Sequence, residues 1–199
     1  RELQKQKLKA EESDNIKKNK KINLGWGRLI FANTYSSAKK VADTLCKEKL
    51  GNRDIVFYFF NTHIIVSHSP TEIFVDPSDT YRLKIKDYDV KKKNHNFIIK
   101  RLATKKELKQ MNKIAAARGM FPIDYKFFKN NRRSKKIIYF IAVSKKAKKV
   151  IGTVTALDHK EIYDDPKNGA SLWSLAVDPQ TSHPGVGIAL VNAVISYFK

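Results

Sequence analysis

The sequence predicts an α+β fold: a mixed sheet flanked by helices, with a small α/β module ahead of it. Three observations carry this expectation. Short β-rich apolar runs recur at "LIF", "DIVFYFF", "FIIKRLA", "KKIIYFIAVSKK", "KKVIGTVTALD" and "SLWSLAV". Stretches with helical spacing stand between some of them. Finally, 42% apolar residues with 11% aromatics over 199 residues suffice to bury a core.

In chain order, residues 1–23 are almost all charged or polar and read as a basic tail, mobile or marginally helical. Order is expected from "GWGRLIFANTY", where Leu29, Ile30 and Phe31 make a short strand. Ser36 or Ser37 then caps a helix with Ala38, Val41, Ala42, Leu45 and Cys46 on one face, ending at Gly51. "DIVFYFF" and "HIIVSHS" read as two strands separated by Asn61 and Thr62. "TEIFVDPSDTYRLKI" adds another strand, with a turn at Asp76-Pro77-Ser78. Residues 24–88 thus form the small α/β module, and the charged stretch 89–96 is a linker.

A second unit spans 97–199. "FIIKRLA" restarts the β pattern, and Thr104 with Glu107 makes a capping box for a helix with Leu108, Met111 and Ala115 on its buried stripe and Gly119 as its stop. "FPIDYKFFKNN" suggests a short helix or loop. Two strands joined by a Lys-rich turn follow, then the loop "IYDDPKNG", a strand over Leu172 to Val177, and a helix beginning near Gly185.

Composition narrows the function. Lys and Arg number 40 against 19 Asp and Glu, a net charge of +21 that favours anionic partners in general. There is no apolar run of about eighteen residues and no signal-peptide pattern, so no membrane partner and a cytoplasmic location are expected. Cys46 is the single cysteine and reads as a buried small apolar residue. The five histidines lack metal spacing, so no metal is expected.

The final stretch, "SLWSLAVDPQTSHPGVGIALVNAVISYFK", places a buried strand, an Asp178-Pro179 stop and a polar turn directly before a glycine-punctuated helix start. The first N–H groups of a helix have no intrahelical partner and share the positive end of the peptide dipole, so they suit phosphate oxygens. Gly185 and Gly187 would let such a group approach the backbone. Pro and Gly beside a helix start also serve as plain punctuation.

The order of elements over residues 97–199, with "AVDP" and "SHPGVG", resembles the GNAT superfamily of N-acetyltransferases. Members carry Q/R-x-x-G-x-G/A in this turn and use it to hold the pyrophosphate of acetyl-coenzyme A. Here the glycines match, Ser182 takes the first position, and Pro184 removes one N–H. The resemblance implies that acetyl-coenzyme A is held by Leu175, Ala176 and Val177 on the strand, and by Ser182, His183, Gly185, Val186, Gly187 and Ile188 beyond it. It implies that Leu175 faces the thioester carbonyl and Val177 the pantetheine arm.

A narrower similarity spans residues 25–199. "GWGRLIF", "NRDIVFYF", "TEIFVDPSDTYRL" and "SLAVDPQTSHPGVGIALV" are similar to the N-terminal region of N-acetylglutaminylglutamine synthetases, in which an acetyltransferase domain precedes an ATP-grasp ligase. That implies an α-amine of glutamine or of a glutamine dipeptide as acceptor.

Acetyl transfer to an amine needs somewhere for a proton to go. No Asp or Glu lies between Gly169 and Val177. Ser174, by ordering a water, and Glu161, at the mouth of the site, are the candidate catalytic residues, with Asp158 and His159 as further polar neighbours. In the family the coenzyme sits where the fourth and fifth strands splay, and the fifth follows the helix that ends here at Lys199. The chain also opens at Arg1, so it is expected to be part of a longer protein, with weak activity alone and an open strand edge that favours self-association.

Two other readings compete. Tyr125, Phe127 and Phe128 beside Lys126, Lys129, Arg132 and Arg133 would suit a basic nucleic-acid-binding module. An inactive acetyltransferase fold serving as a scaffold is the other.

Overall fold

Two sheets flanked by helices make up the structure, a computed structural model that describes residues 16–57, 59, 61–76, 80–90 and 94–199. The smaller sheet has the order β1-β2-β3, from Lys21–Asn23, Arg28–Phe31 and Asp54–Phe57. β1 runs antiparallel to β2, and β2 parallel to β3. The β2 to β3 crossover contains α1, Ala38–Leu45, which Ser37 caps by accepting from the Lys40 amide. Arg28 and Asp54 stand opposite each other in the β2–β3 register and form a side-chain ion pair that pins the parallel pairing.

The larger sheet is antiparallel throughout, in the order β4-β5-β6-β7: Phe97–Arg101, Ile137–Ser144, Val150–Asp158 and Ala170–Val177. Its strands read as nearly continuous apolar runs because both faces are covered. Along β5, Ile137, Tyr139 and Ile141 enter one buried cluster while Ile138, Phe140 and Ala142 enter another, the period of two that a strand imposes.

The first cluster lies under α3, Lys105–Ala117, and α4, Tyr125–Asn131, and also takes Leu24, Leu29 and Phe31 from the small module. The second lies under α6, Val186–Phe198, whose Val186, Leu190 and Val194 point into it. Gly152 permits that docking: a Cβ there would meet Val186 Cγ1 at 2.6 Å. The Thr104–Glu107 capping box is present at the start of α3, and Gly119 follows its end with φ 67°. Asp124 caps α4 through the Lys126 and Phe127 amides, so the aromatic stretch is helical.

Several expectations are corrected. "HIIVSHS" is not a strand: α2, Thr62–Ser67, runs through it, and Ile65 packs against Ile30, Val41 and Ala42. The β-branched pattern gave way to a short helix that seats Ile65 in this cluster. Residues 71–76 and 80–85 form no strand; Phe74 and Tyr81 are 79% and 91% exposed, and Ile85–Asp87 is a 3-10 turn. The expected turn at Pro77 and Ser78 lies outside the described residues.

α1 stops at Leu45, not Gly51, which leaves Cys46 at its C-cap and exposed rather than buried. Lys21–Asn23 pairs as β1 where tail was expected; residues 1–15 of that tail lie outside the described residues. The loop after β6 begins with a short helix, α5, His159–Tyr163.

Candidate functional site

β7 holds one residue more than its neighbour needs. At one end the His159 amide donates to Gly169 O at 3.0 Å, and at the other the Asp178 amide donates to Ile151 O at 2.9 Å. Between these bonds β7 takes nine steps and β6 eight. The surplus lies where Thr155 pairs with Trp173 and Thr153 with Ala176, so Ser174 and Leu175 together oppose Val154. This is a β-bulge, and Ser174 takes it up with φ 50°.

The bulge changes which backbone groups face outward. Before it, Ser171 and Trp173 direct N–H and C=O towards β6; after it, Ala176 and Asp178 do. Leu175 and Val177 therefore present their backbone groups to the far side of β7, which is the edge of the sheet among the described residues. Arg118, at the C-cap of α3, reaches one of them: its Nε donates to Val177 O at 2.9 Å. The side chains of Leu175 and Val177 pack on the α6 side.

Asp178 then closes a turn, its side chain accepting from the Gln180 amide at 3.0 Å and its carbonyl from the Thr181 amide at 3.1 Å. The turn delivers the chain to Gly185, the N-cap of α6, with φ 81° and no side-chain cap. The first intrahelical bond runs from the Ala189 amide to Gly185 O. The amides of Val186, Gly187 and Ile188 precede it and open the helix at its positive end.

Space above them is open. A Cβ on Gly187 would find only Val177 Cγ2, at 3.8 Å, and one on Gly185 only His95 Cε1, at 3.7 Å. Ser182 is exposed and Ile188 is 68% exposed. His183 is half-buried, with Nδ1 3.3 Å from Thr181 Oγ1, Nε2 3.4 Å from Ser144 Oγ, and its ring edge-on to Phe97. Beside it a pocket of about 270 Å³ is lined by Asn94, His95, Asn96 and Phe97. The donor set, three unused helix amides beside two outward-facing strand residues, fits a diphosphate on an extended arm.

The structure thus brings Leu175, Val177, Ser182, His183, Gly185, Val186, Gly187 and Ile188 to one end of β7. Ala176 lies among them in sequence, but it is buried and its backbone faces β6. Ser174 is the bulge residue itself. Glu161 is not brought there: it lies on α5, at the Ala170 end of β7. Asp158 is the N-cap of α5, its carboxylate accepting from the Glu161 amide at 3.2 Å.

His159 is fully buried against Phe31 and Tyr163. Burial pushes its imidazole down to about 4, against an upward pull from Asp165 and Asp158, so the ring is neutral at pH 7. Its Nε2 lies 2.9 Å from Ser171 Oγ, and that oxygen accepts from Trp173 Nε1 at 2.8 Å. Sequence reasoning missed both this chain of contacts and Arg118, because the partners lie on different elements and share no spacing signal. Phe127 and Phe128 on α4 turn into the core rather than outward as stacking platforms for bases, and Tyr125 lies under the Lys105 ammonium.

No group of three or more His, Cys, Asp or Glu side chains that could hold a metal occurs among the described residues. Among the same residues, no helix is long and apolar enough to cross a membrane.

No protein-family model and no curated protein sequence matches the chain. Similar solved structures are acetyltransferases, each matched over about half of this chain. A Trypanosoma brucei acetyltransferase is 14% identical, with a TM-score of 0.40, over 51% of this chain and 73% of its own. An aminoglycoside acetyltransferase from an uncultured soil metagenomic sample, in complex with sisomicin, is 22% identical, with a TM-score of 0.42, over 52% and 70%. Arabidopsis thaliana NAA60 in complex with acetyl-CoA is 24% identical, with a TM-score of 0.36, over 51% and 66%.

Proposed function

We propose that this chain is an N-acetyltransferase domain that takes acetyl-coenzyme A as co-substrate and passes the acetyl group to an amine. The observation that carries the reading is the bulge at Ser174. It turns the backbone of Leu175 and Val177 to the open edge of a strand that leads, through one short turn, to a helix start with no side-chain cap.

Each part has a chemical use. The Val186, Gly187 and Ile188 amides offer donors to a diphosphate, and Gly187 keeps the approach clear. Val177 offers a strand-like partner to an amide-bearing arm, with Arg118 already at its carbonyl. The Leu175 N–H is placed to stabilise negative charge growing on a carbonyl oxygen. Bound acetyl-coenzyme A supplies an activated acyl thioester; the amine nitrogen forms the new bond to carbon and must shed a proton. Ser174, the residue next to Leu175, is the side chain we assign to order the water that receives it.

The sequence resemblance proposes an α-amine of glutamine or of a glutamine dipeptide as acceptor. The test is a thiol-release assay with acetyl-coenzyme A and a panel that includes glutamine, glutaminyl-glutamine and simple primary amines. The reading predicts acetylated product with at least one amine. Coenzyme A that neither binds nor protects the fold against heating would overturn it.

A further inference from the structure

Arg118 reaches β7 from the face of the sheet opposite α6. It stands at the C-cap of α3, where its own amide is bonded back to Ala115 O and Ala116 O, and Gly119 turns the chain away directly after it at φ 67°. The main chain is fixed there, and only the side chain reaches out. Its Nε donates to Val177 O at 2.9 Å. The guanidinium carries further N–H donors on Nη1 and Nη2, and these have no protein partner among the described residues. No carboxylate among those residues pairs with its charge.

Val177 is where this cation and the start of α6 meet. Its carbonyl takes the Arg118 N–H at the sheet edge, while its side chain lies on the α6 side, where Cγ2 is the nearest neighbour of a Cβ placed on Gly187, at 3.8 Å. One residue separates the guanidinium from the open amides. A diphosphate at those amides needs a cation as well as neutral donors, yet residues 178–188 contain no Lys or Arg. His183 is held between Thr181 and Ser144, and Asp178, the one carboxylate in that stretch, accepts from the Gln180 amide. Lys145, Lys146, Lys148 and Lys149 of the β5–β6 turn stand at the same end of the sheet, but none of their side chains bonds to β7 or to the turn before α6.

We propose that Arg118 supplies the cation of the phosphate site from across the sheet. Nε stays on Val177 O, as in the structure, and the fork of Nη1 and Nη2 is left for the phosphate oxygens of coenzyme A, which it suits in shape as well as charge. A side chain already anchored by one bond loses less freedom when the ligand arrives. This rests on the acetyl-transfer reading above. Arg118 is a coenzyme-binding residue and takes no part in the acyl step, so its loss raises the KM for acetyl-coenzyme A and leaves kcat in place.

The experiment titrates coenzyme A, pantetheine and inorganic pyrophosphate into the wild-type protein, Arg118→Gln and Arg118→Lys, with Lys146→Gln as the control for loss of one surface charge. Arg118→Gln is expected to weaken coenzyme A and pyrophosphate on the order of tenfold, with pantetheine binding and Tm as in the wild type. Arg118→Lys recovers part of the loss, and Lys146→Gln shows none. Unchanged coenzyme A affinity in Arg118→Gln, an equal loss for pantetheine, or an equal loss in Lys146→Gln overturns the proposal. A wild-type protein that binds neither coenzyme A nor pyrophosphate overturns the proposal and the acetyl-transfer reading together. If pyrophosphate binds in an Arg118-dependent way while coenzyme A does not bind, the acetyl-transfer reading falls and Arg118 stands as part of an anion site.

Discussion

Trp173 and Ala176 stand three positions apart on β7, yet both point into the cluster beneath α3. In an unbroken strand they would face opposite ways. The extra residue between them turns the backbone groups of Leu175 and Val177 to the sheet edge, so the strand's local irregularity is also its candidate chemistry.

The bulge residue should prefer glycine. Ser174 has φ 50°, a region that costs an L-residue roughly 1–2 kcal/mol. We expect Ser174→Gly to be between neutral and about 1 kcal/mol more stable, and Ser174→Val to lose about 1–3 kcal/mol. Urea unfolding measures both, and equal stability of the two variants would contradict the bulge. Turnover of Ser174→Gly tests the hydroxyl separately.

His159 should make the fold acid-sensitive. Its folded value is depressed to about 4 from 6.5, so the unfolded chain binds the proton more readily between those values. Its contribution is complete above about pH 6.5 and is lost as pH falls towards 4, on the order of 3 kcal/mol. His159→Gln should flatten the stability–pH curve in that window. An unchanged slope would mean that the ring is hydrated.

Thr153 is 3% exposed, and its hydroxyl has no hydrogen-bond partner among the described residues. Thr153→Val removes an unsatisfied polar atom while keeping the shape, and should raise stability by about 1 kcal/mol. A loss of similar size would reveal a buried water bonded to that oxygen.

The outward groups of β7 should recruit a partner strand. Light scattering at several concentrations is expected to show a mass that rises with concentration, and Leu172→Lys should suppress it. A monomer at every concentration would argue that the edge is protected.

Much of this was legible in the residues themselves. The Thr104–Glu107 box, the two-faced apolar alternation of β5 and the Pro-Gly entry into α6 are local signals that fix local structure. The bulge at Ser174 left no mark, because it is a mismatch between two strands and neither sequence alone records it. Neither "HIIVSHS" nor "TEIFV" formed a strand, because a β pattern needs a neighbour with which to pair. The contact between His159 and Ser171 depends on how α5 folds back over β7, and no spacing rule encodes that.

If the start of α6 holds a phosphate-bearing ligand, a side chain added there should block it. Gly187 tests it more cleanly than Gly185, whose φ of 81° would strain any replacement. A side chain at Gly187 has room within the protein, its nearest neighbour being Val177 Cγ2 at 3.8 Å, but it occupies the space above the amides. Calorimetric titration of coenzyme A into the wild-type protein and Gly187→Val is the direct measurement. At least a tenfold loss of affinity with an unchanged Tm is expected, and equal affinity in the two proteins would contradict the account.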